Sequence, residues 1–367
     1  MKFICAKESL LKTLSIAENV IETKTSISIL SNIYIEATEN KIKIQACDSK
    51  INFFSEINAD ILNQGSISVN CNKFYSIVKK LPCNEIYIDV NNENNINIKP
   101  NDNDKISYTL KGIEANKFPV IKENENVKYF SLKQEIFSDM VRKTIFCIST
   151  SENRRFVSGI YFEKSENQIK MVGTDGKRLS FIKQNIKIDN NIDKSIIIPP
   201  KILNEALKLC TANAEIFIAV SENKIYIKID NFLFISNLLE GNFPPYEKVI
   251  PYNQNIFVTA DKQALYESLD RISQISDKES HKINLNINET NMKITSEDIA
   301  IGFGEENIKI ESNIDNFNIY LNYSFIKDVL NVIKKNKIIF EFKDPKNTVT
   351  IREEENNDFI YIMMPMA

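Results

Sequence analysis

The residue types that usually carry catalysis or bind metals are sparse in this sequence of 367 residues. Its single histidine, His281, cannot contribute to a histidine pair around a metal ion, and we expect it to be a surface residue. The six cysteines are dispersed without a C-x-x-C pair, which favours reduced core thiols over a zinc site or a disulfide framework. Nothing singles out a catalytic pair among the carboxylates. The sequence therefore predicts a protein without a metal site, a cofactor or a catalytic site.

Two segments contain the residue types of known reactive loops without their spacing. A nucleotide-binding P-loop that ended at Lys177 would need glycine where Met171 stands. A serine nucleophile elbow at Ser158 would need glycine where Phe156 stands. The run 173–176 (GTDG) matches the G-x-x-G loop of some RNA-binding modules, but two related segments of the chain lack its glycines. We therefore interpret this loop as structural.

The elements that must position any functional side chain recur three times. Residues 33–48, 160–175 and 283–298 share one internal spacing, and their final aspartates are 127 and 123 residues apart. A second marker agrees, because 116–119 (NKFP) recurs at 241–244 (GNFP) after a shift of 125 residues. Three units of this size tile the chain. We predict domains at 1–122, 123–250 and 251–367.

Alternating apolar residues within each unit predict strands, and two stretches per unit predict helices. Phe74, Ile77, Val78 and Leu81, for example, have the spacing of an amphipathic helix. The predicted helices span 7–21, 72–81, 131–147, 200–211, 261–273 and 322–337. Each unit thus combines helices and strands in two layers, and the predicted fold class is α+β with three repeated domains.

Positive charge is concentrated in the predicted helices, although the whole chain carries a net charge of −3. The six helical stretches carry formal charges of 0, +3, +1, +1, −1 and +3, so the rest of the chain is acidic. Lysine-rich helices often serve only solubility. If all six helices share one face, however, a basic lining would attract phosphates without reading sequence. The main contributors are Lys73, Lys79, Lys80, Lys327, Lys334, Lys335 and Lys337.

The apolar residues are too interspersed with polar ones to predict a membrane span. No run of 18 or more apolar residues occurs, and the first residues do not resemble a signal peptide. We expect a cytoplasmic protein.

Several segments together resemble one known family. They are 1–3 (MKF), 157–163 (VSGIYFE), 174–179 (TDGKRL), 240–246 (EGNFPPY) and 361–366 (YIMMPM). In collinear order along the whole chain, they are similar to the sliding clamp of bacteria, the beta subunit of DNA polymerase III. The resemblance implies a processivity factor for DNA replication that encircles double-stranded DNA, and not an enzyme.

The resemblance also implies a head-to-tail homodimer, the DNA clamp fold, whose six domains close a ring with helices lining the hole. The first domain of one copy would meet the third domain of the other. The implied dimer-interface residues are Lys105, Ile106, Tyr108, Ile275, Glu297, Asp298, Glu305 and Glu306. The implied DNA-facing residues are Lys24, Lys73, Lys79, Lys80, Arg154, Lys201, Lys334 and Lys335.

A peptide groove between the second and third domains is implied as well, where the replicative polymerase, the clamp loader and repair factors would dock short motifs. Its residues would be Val157, Thr174, Gly176, Lys177, Arg178, Leu179, Pro244, Lys248, Val249, Asn322, Phe325, Ile362, Met363, Met364, Pro365 and Met366. Flexible methionines suit such a groove because they adapt to several partners. The family commonly has histidine where Lys177 stands, arginine where Lys248 stands and an aromatic residue near Ser280.

Two other functions remain open from the residues alone. One is a repeat-built scaffold that binds peptides and never encircles DNA, which a monomeric mass in solution would favour. The other is an enzyme that uses carboxylates, which the loss of an activity with one acidic residue would favour.

Overall fold

The computed structural model describes residues 1–21, 28–121, 124, 126–187, 194–298 and 300–366. The chain forms two compact units, Met1–Phe137 with Lys201–Leu238, and Ser138–Pro200 with Leu239–Ala367. The first unit contains the first sequence repeat and part of the second. The second unit contains the remainder of the second repeat and the third. The middle repeat is therefore shared between the two units.

The first repeat has the order strand, helix, four strands, helix, three strands. Its helices are α1 (Lys7–Val20) and α2 (Cys71–Lys80). Its strands are β1 (Lys2–Ala6), β2 (Asn32–Thr38), β3 (Lys41–Cys47), β4 (Ile51–Asn63), β5 (Gly65–Asn70), β6 (Glu85–Val90), β7 (Asn95–Pro100) and β8 (Tyr108–Lys111).

The second and third repeats follow the same order, which confirms the threefold repeat predicted from the sequence. The second comprises β9 (Phe130–Lys133), α3 (Gln134–Ile145), β10 (Ile160–Lys164), β11 (Gln168–Thr174), β12 (Arg178–Asn185), β13 (Lys194–Ile198), α4 (Pro200–Leu209), β14 (Glu215–Ser221), β15 (Lys224–Ile229) and β16 (Phe232–Asn237). The third comprises β17 (Ile256–Asp261), α5 (Lys262–Ile272), β18 (Lys282–Ile287), β19 (Asn291–Asp298), β20 (Gly302–Ser312), β21 (Phe317–Asn322), α6 (Tyr323–Val332), β22 (Lys337–Phe342), β23 (Val349–Glu353) and β24 (Phe359–Met363).

The helices begin directly after strands, and polar side chains at these junctions fix several of the starts. The side chain of Asn70 accepts a hydrogen bond from the backbone N–H of Lys73 (3.1 Å), and Asn322 does the same for Phe325 (3.2 Å). Such N-caps satisfy one of the backbone donors that a helix leaves free at its first turn. The apolar side of α2 then buries Cys71, Phe74 and Val78.

Helix α6 is shorter than the sequence pattern predicted. The predicted stretch ran to residue 337, but the helix ends at Val332 and Ile333 already has an extended backbone. The reason is β22, which starts at Lys337 and buries alternate residues, so the intervening residues turn the chain. Lys334 and Lys335 therefore lie in a turn and not on the helix. Within the observed bounds, α2 carries three lysines and no acidic residue, whereas α6 is neutral.

Each unit contains one extended antiparallel sheet. The path in the first unit is β8-β7-β6-β1-β4-β16-β15-β14-β9, with β3, β2 and β5 branching from β4. The path in the second unit is β13-β10-β11-β12-β24-β23-β22-β17-β20-β19-β18-β21. In both, the last strand of one repeat pairs with a strand of the preceding repeat: β16 with β4, and β24 with β12. Sheet pairing thus joins successive repeats.

The segments that follow the first and second repeats each pack an aromatic ring onto a sheet. Phe118 stacks on Tyr34 with 5.9 Å between the ring centroids, and Phe243 stacks on Tyr161 at 4.9 Å. Both phenylalanines belong to the Phe-Pro marker that recurs in the sequence. The marker is therefore structural, because each copy covers the same position on a sheet.

The core is built from the alternating side chains of the strands and the apolar sides of the helices. Four cysteines, Cys5, Cys47, Cys71 and Cys147, are buried free thiols, as predicted, and Cys83 and Cys210 are half-exposed. Across the described ranges, the structure contains no helix whose length and apolar character would let it cross a membrane.

Candidate functional site

An apolar groove of the second unit lies where the second and third repeats meet. It has a volume of about 290 Å³ and is formed by the turn before β12, the ends of β12 and β24, and the segment after β16. Its lining is Arg154, Phe156, Val157, Thr174, Gly176, Lys177, Arg178, Leu179, Pro244, Pro245, Tyr246, Val249, Thr348, Ile362, Met363 and Met364.

The turn 174–178 forms one wall and is fixed by its own side chains. Thr174 Oγ1 donates to the carbonyl oxygen of Arg178 (2.6 Å), and Asp175 Oδ1 accepts from the backbone N–H groups of Lys177 (2.9 Å) and Arg178 (3.0 Å). Gly176 has a φ of +88°, which favours glycine. A Cβ atom there would lie 3.2 Å from Arg154 Nη1, so Arg154 lies across this turn.

Arg178 lies behind the wall, with all its charge satisfied within the protein. Its Nε donates to Asp175 Oδ2 (3.0 Å), Nη1 donates to Asp328 Oδ2 (2.6 Å) and Nη2 donates to the carbonyl oxygen of Phe146 (3.0 Å). The guanidinium also lies 4.2 Å from the centroid of the Phe325 ring. Arg178 therefore connects the turn, the end of α3 and α6, and has little left to offer a ligand.

The floor of the groove is an apolar cluster. Leu179 and Ile362 face each other across the β12–β24 pair, next to buried Val172, Phe181 and Tyr246. Burial raises the pKa of the Tyr246 hydroxyl above its usual value, so the ring stays neutral at physiological pH. This floor suits apolar side chains of a ligand.

The C-terminal segment is tied down beside the groove. The backbone N–H of Met364 donates to the carbonyl oxygen of Lys177 (3.0 Å), and that of Met366 donates to the carbonyl oxygen of Tyr320 (2.8 Å). The Met364 side chain nevertheless remains 55% exposed. A flexible methionine is thus presented at the rim of a fixed groove.

The chemistry that this arrangement supports is binding. The groups with strongly raised pKa values near the groove, Tyr361 and Cys147, are shifted mainly by burial and remain protonated. Tyr361 donates its hydroxyl to the carbonyl oxygen of Phe325 (2.9 Å). Within the described ranges, no group of three or more His, Cys, Asp or Glu side chains is arranged to hold a metal ion.

The structure brings most of the predicted groove residues together. Eleven line the groove: Val157, Thr174, Gly176, Lys177, Arg178, Leu179, Pro244, Val249, Ile362, Met363 and Met364. Five do not. Phe325 lies under Arg178, Asn322 caps α6, and Lys248 is exposed on the short helical turn Tyr246–Val249. Pro365 and Met366 are half-buried beyond the rim.

Sequence reasoning missed five lining residues. Pro245 and Tyr246 directly follow a predicted groove residue, so the run 244–246 carried a usable signal. Phe156 precedes Val157 in the same way. Thr348 comes from the segment before β23 and has no motif that could have identified it. Arg154, which the resemblance implies to be DNA-facing, is among the residues that line the groove.

The remaining predicted DNA-facing residues differ in whether their side chains are already paired within the protein. Lys73, Lys79, Lys80 and Lys335 are exposed. Lys201 donates to Asp48 Oδ2 and to the carbonyl oxygen of Val20 (2.7 Å), and Lys334 pairs with Asp139 (2.8 Å). Lys24 lies outside the described residues. The three lysines on α2 and Lys335 are thus the freest cations of the predicted set.

The predicted dimer residues lie in two places, one at β8 and the segment before it, the other at β19, β20 and the turn after α5. Lys105 and Tyr108 are exposed at the start of β8, and Ile106 is half-buried. Ile275 is half-buried, and Glu297 is exposed at the end of β19. Three of the acids are already engaged: Glu305 pairs with Lys293 (2.7 Å), Glu306 pairs with Arg271 (2.7 Å), and Asp298 accepts from the backbone of Ile301 (3.0 Å).

Two exposed apolar residues beside these acids escaped sequence reasoning. Ile301 is 53% exposed, and Phe303 at the start of β20 is 60% exposed. Their signal is an apolar residue on either side of Gly302, between the acidic pairs Glu297-Asp298 and Glu305-Glu306.

Three family models match the chain from end to end. They are the DNA polymerase III beta subunit N-terminal domain at residues 1–122, its central domain at 131–245 and its C-terminal domain at 247–367. Each model corresponds to one sequence repeat.

Proteins that are similar over the full length of the chain are also beta sliding clamps or DNA polymerase III beta subunits. The "Beta sliding clamp" of Treponema pallidum is 30% identical over 370 residues, which cover 100% of this chain and 99% of the relative. The crystal structure of the DNA polymerase III subunit beta from Pseudomonas aeruginosa is 28% identical with a TM-score of 0.94 and covers 100% of both chains. A structure of the Pseudomonas aeruginosa sliding clamp bound to griselimycin has a TM-score of 0.94, is 28% identical and covers 100% of this chain and 99% of that one.

Proposed function

The chain belongs to the DNA polymerase III beta subunit family, and we propose that it closes a two-copy ring on duplex DNA and captures partner peptides in the groove. As a sliding clamp it is an accessory subunit that makes the polymerase processive. DNA and the polymerase are its partners. We further infer that it works in the cytoplasm and has no catalytic site of its own. The main support for a closed ring is the way in which strands of successive repeats pair.

The pairing rule predicts which edges meet. Strand β16 of the second repeat pairs with residues 51–55 of β4, and β24 of the third repeat pairs with residues 178–182 of β12. The corresponding part of β20, residues 302–309, pairs on one edge with β19 and has no second partner among the described strands. Strand β8 likewise pairs with β7 alone among them. We infer that β8 of a second copy pairs with β20, and that the same contact in return closes the ring.

The side chains at these edges support that contact. Tyr108 is 47% exposed and shares a face of its sheet with buried Ile98, its partner on β7. On β20, a Cβ atom added to Gly304 would lie 3.4 Å from side-chain atoms of Ile272 and Ile275. Ile272 is buried, but Ile275 is only half-buried, and Gly304 has no side chain to cover it. We propose that Tyr108 of the second copy covers this apolar surface.

Charge supports the same contact more weakly. Lys105 is exposed, and Glu297 is the predicted acidic partner that is exposed at the end of β19. Glu305 and Glu306 already have partners within the chain. Exposed ion pairs contribute about 0–1 kcal/mol each. The apolar contact and the strand pairing therefore carry the interface, and Lys105 adds to its orientation.

For DNA, we propose that α2 makes the main phosphate contacts. It offers Lys73, Lys79 and Lys80 on a helix without acidic residues. Lys201 and Lys334 are engaged with Asp48 and Asp139, so they would contribute less. Phosphate contacts of this kind are independent of base sequence and weaken as salt rises, which suits a ring that slides.

For the groove, we propose that short peptide segments of the polymerase, the clamp loader and repair factors bind there. The fixed turn 174–178, the apolar floor and the exposed Met364 support this role. A relative has been solved bound to griselimycin, which supports ligand capture by this family. Tethering through such a groove raises the local concentration of a partner without a tight contact to DNA.

Topological retention tests the ring. The purified protein is loaded onto nicked circular DNA with a clamp loader and ATP, separated by size, and the DNA is then linearised. A closed ring stays on circles and is lost from linear DNA. Equal retention on both forms would mean simple electrostatic adhesion. Failure to load with the cognate loader would instead favour the peptide-binding scaffold that never encircles DNA.

A further inference from the structure

One position of the sheet is occupied by Tyr34 in the first repeat, Tyr161 in the second and Asn284 in the third. In the first repeat, Phe118 from the following segment stacks on Tyr34. In the second repeat, Phe243 stacks on Tyr161 in the same way. The third repeat presents an amide at this position in place of a tyrosine ring.

The segments that lead to this position start along the same track in all three repeats. Each donates a backbone N–H to the carbonyl oxygen of the residue that pairs, within the sheet, with the shared position. These hydrogen bonds join Ile113 to Ser68 (2.8 Å), Leu239 to Ile197 (3.0 Å) and Met366 to Tyr320 (2.8 Å). The third repeat therefore keeps the backbone arrangement that brings a ring onto this face in the other two.

At the third repeat this position opens into a cavity of about 380 Å³ that shares no residue with the peptide groove. Asn284 lines it together with its strand partners Thr295 and Tyr320. Phe303 forms another wall and is 60% exposed. Lys282 already lies over the ring of Tyr320, 4.4 Å from its centroid, so Phe303 is the ring most available to a ligand.

Asn284 contributes a hydrogen-bond acceptor that the protein does not satisfy. Its Oδ1 atom is buried and has no hydrogen-bond partner in the part of the chain that the structure describes. An unpaired buried acceptor is unfavourable, and a ligand donor that reached this atom would remove that cost. Tryptophan and tyrosine combine an aromatic ring with such a donor. Their chemistry therefore matches both the vacant ring position and the amide.

We propose that the third repeat binds a segment of a partner protein that presents tryptophan or tyrosine at this position. The ring packs against Phe303 and donates its N–H or O–H to Asn284. The two phenylalanines that fill this position in the other repeats already stack there, so a second protein supplies the ring.

This site is separate from the contacts proposed above. Neighbouring residues of a strand face opposite sides of a sheet, so Phe303 lies on the face opposite to the ring contact proposed at Gly304. The inference does not depend on peptide capture in the groove.

Fluorescence of a tryptophan peptide tests the proposal, because the chain itself contains no tryptophan. The probe is a hexapeptide copied from residues 241–246 (GNFPPY), with tryptophan in place of phenylalanine and alanine in place of tyrosine. A matched peptide carries 1-methyltryptophan, which lacks the ring N–H. Titration with the full-length protein should shift the emission to the blue. We expect the tryptophan peptide to bind about fivefold more tightly than the methylated one, since only it can donate to Asn284.

Variants assign the effect to residues. Asn284→Leu should make the two affinities equal, and Phe303→Ala should weaken both peptides about fivefold or more. Phe217→Ala is the matched control, because it removes an exposed phenylalanine from β14, and Met364→Gln alters the rim of the groove. Both should leave binding within about twofold.

Three results would overturn the proposal. The first is equal affinity of the two peptides for the unmodified protein, or no blue shift with about 0.5 mM protein. The second is binding that Met364→Gln removes and Phe303→Ala does not, which would place the peptide in the groove. The third is a Phe303→Ala protein that becomes monomeric in light scattering, which would assign this face to a second copy of the chain.

Discussion

Arg178 donates a hydrogen bond from Nη1 to Asp328 Oδ2 over 2.6 Å, although the two residues are 150 positions apart. Arg178 begins β12 in the second repeat, and Asp328 lies on α6 in the third. The contact therefore joins the repeats directly behind the groove. Arg178 lines the groove, but its hydrogen bonds go to the protein. Its main role is therefore to hold the wall of the groove in place, and not to bind a ligand.

Replacing Asp328 with asparagine should weaken this connection. The pair is partly buried, with the Arg178 side chain 10% exposed and that of Asp328 38% exposed. We expect the variant to lose about 1–2 kcal/mol of unfolding free energy, because the hydrogen bond loses its charge assistance and Asp175 is left as the carboxylate partner of Arg178. Peptide affinity should also fall. Chemical denaturation and peptide titration measure the two effects.

Asp315→Asn provides the matched control for that experiment, because Asp315 is exposed and lies outside the groove. Its unfolding free energy and peptide affinity should stay near those of the parent protein. If Asp328→Asn behaved like this control in both measurements, Arg178 would not depend on Asp328 for its position.

The pH dependence of stability should reveal the buried thiols. Burial raises the pKa of Cys71 from 9.0 to about 12. Because the folded-state pKa is the higher one, the stabilisation is complete below pH 9 and is lost as pH rises from 9 toward 12, where only the unfolded chain ionises. Each such thiol should contribute a slope of about −1.4 kcal/mol per pH unit in that window.

Cys71→Ala isolates this contribution. Denaturation midpoints are compared between about pH 7 and pH 10, and the variant should fall less steeply than the parent protein above about pH 9. Below about pH 8 the two curves should run parallel, which serves as the internal control. Parallel curves over the whole range would mean that the Cys71 thiol ionises equally in both states.

Much of the fold could be predicted because it depends on local patterns. The alternation in 33–48 and its two copies fixes the hairpins β2–β3, β10–β11 and β18–β19. Helix α6 was predicted too long because Lys334 and Lys335 continue a helical composition, while the strand pairing of β22 ends the helix. That pairing partner, β17, lies far away in the sequence and leaves no local signal.

The part of the groove that short sequence motifs form could be predicted from the sequence. The run 174–179 and the run 361–364 supply two walls, because β12 and β24 are paired. The direction of a charged side chain was not predictable. Arg154 points to the groove, and Lys201 meets Asp48 153 positions away. Such contacts depend on tertiary packing and not on spacing along the chain.

The exposed position of Phe303 could not be predicted from the repeat, because the strand register differs between the second and third repeats. The strand partner of Glu297 is Phe303, whereas the partner of the equivalent Thr174 is Leu179. The connection after Asp298 is thus one residue longer than the connection after Asp175. This extra residue moves Phe303 to the exposed face, where the repeat pattern alone would have placed Gly302.

The proposed ring contact predicts that residue 304 must stay small. Gly304→Leu would fill the surface beside Ile272 and Ile275 from within the same chain and exclude Tyr108 of the second copy. We expect dimer affinity to fall about tenfold or more, since overpacking costs about 1–3 kcal/mol. Light scattering after size separation should then report the 42.3 kDa monomer in place of a dimer of about 85 kDa.

Gly304→Ala is the matched control, because its single added carbon lies at ordinary contact distance from both isoleucines. It should remain largely dimeric at concentrations where Gly304→Leu dissociates. A Gly304→Leu protein that stays dimeric at nanomolar concentration would place the interface elsewhere.

Whether a lysine already has an ion-pair partner predicts how much it contributes to salt-dependent DNA binding. Lys73, Lys79 and Lys80 are exposed on α2, whereas Lys201 and Lys334 are paired with Asp48 and Asp139. Changing the three α2 lysines to glutamine should weaken binding to a short duplex at low salt. It should also reduce the slope of log K against log salt by about 0.9 for each phosphate that the protein no longer neutralises.

The double variant Lys201→Gln with Lys334→Gln serves as the comparison, measured by fluorescence anisotropy over the same salt series. Its slope should change less than that of the α2 variant. Its unfolding midpoint should fall, because the double variant removes the cation paired with Asp48 and one of the two cations paired with Asp139. Asp139 retains Lys143 at 3.3 Å, so the destabilisation should be larger at Asp48, whose side chain is only 1% exposed. A larger slope change in the double variant than in the α2 variant would mean that DNA displaces these ion pairs and that α2 is not the main phosphate contact.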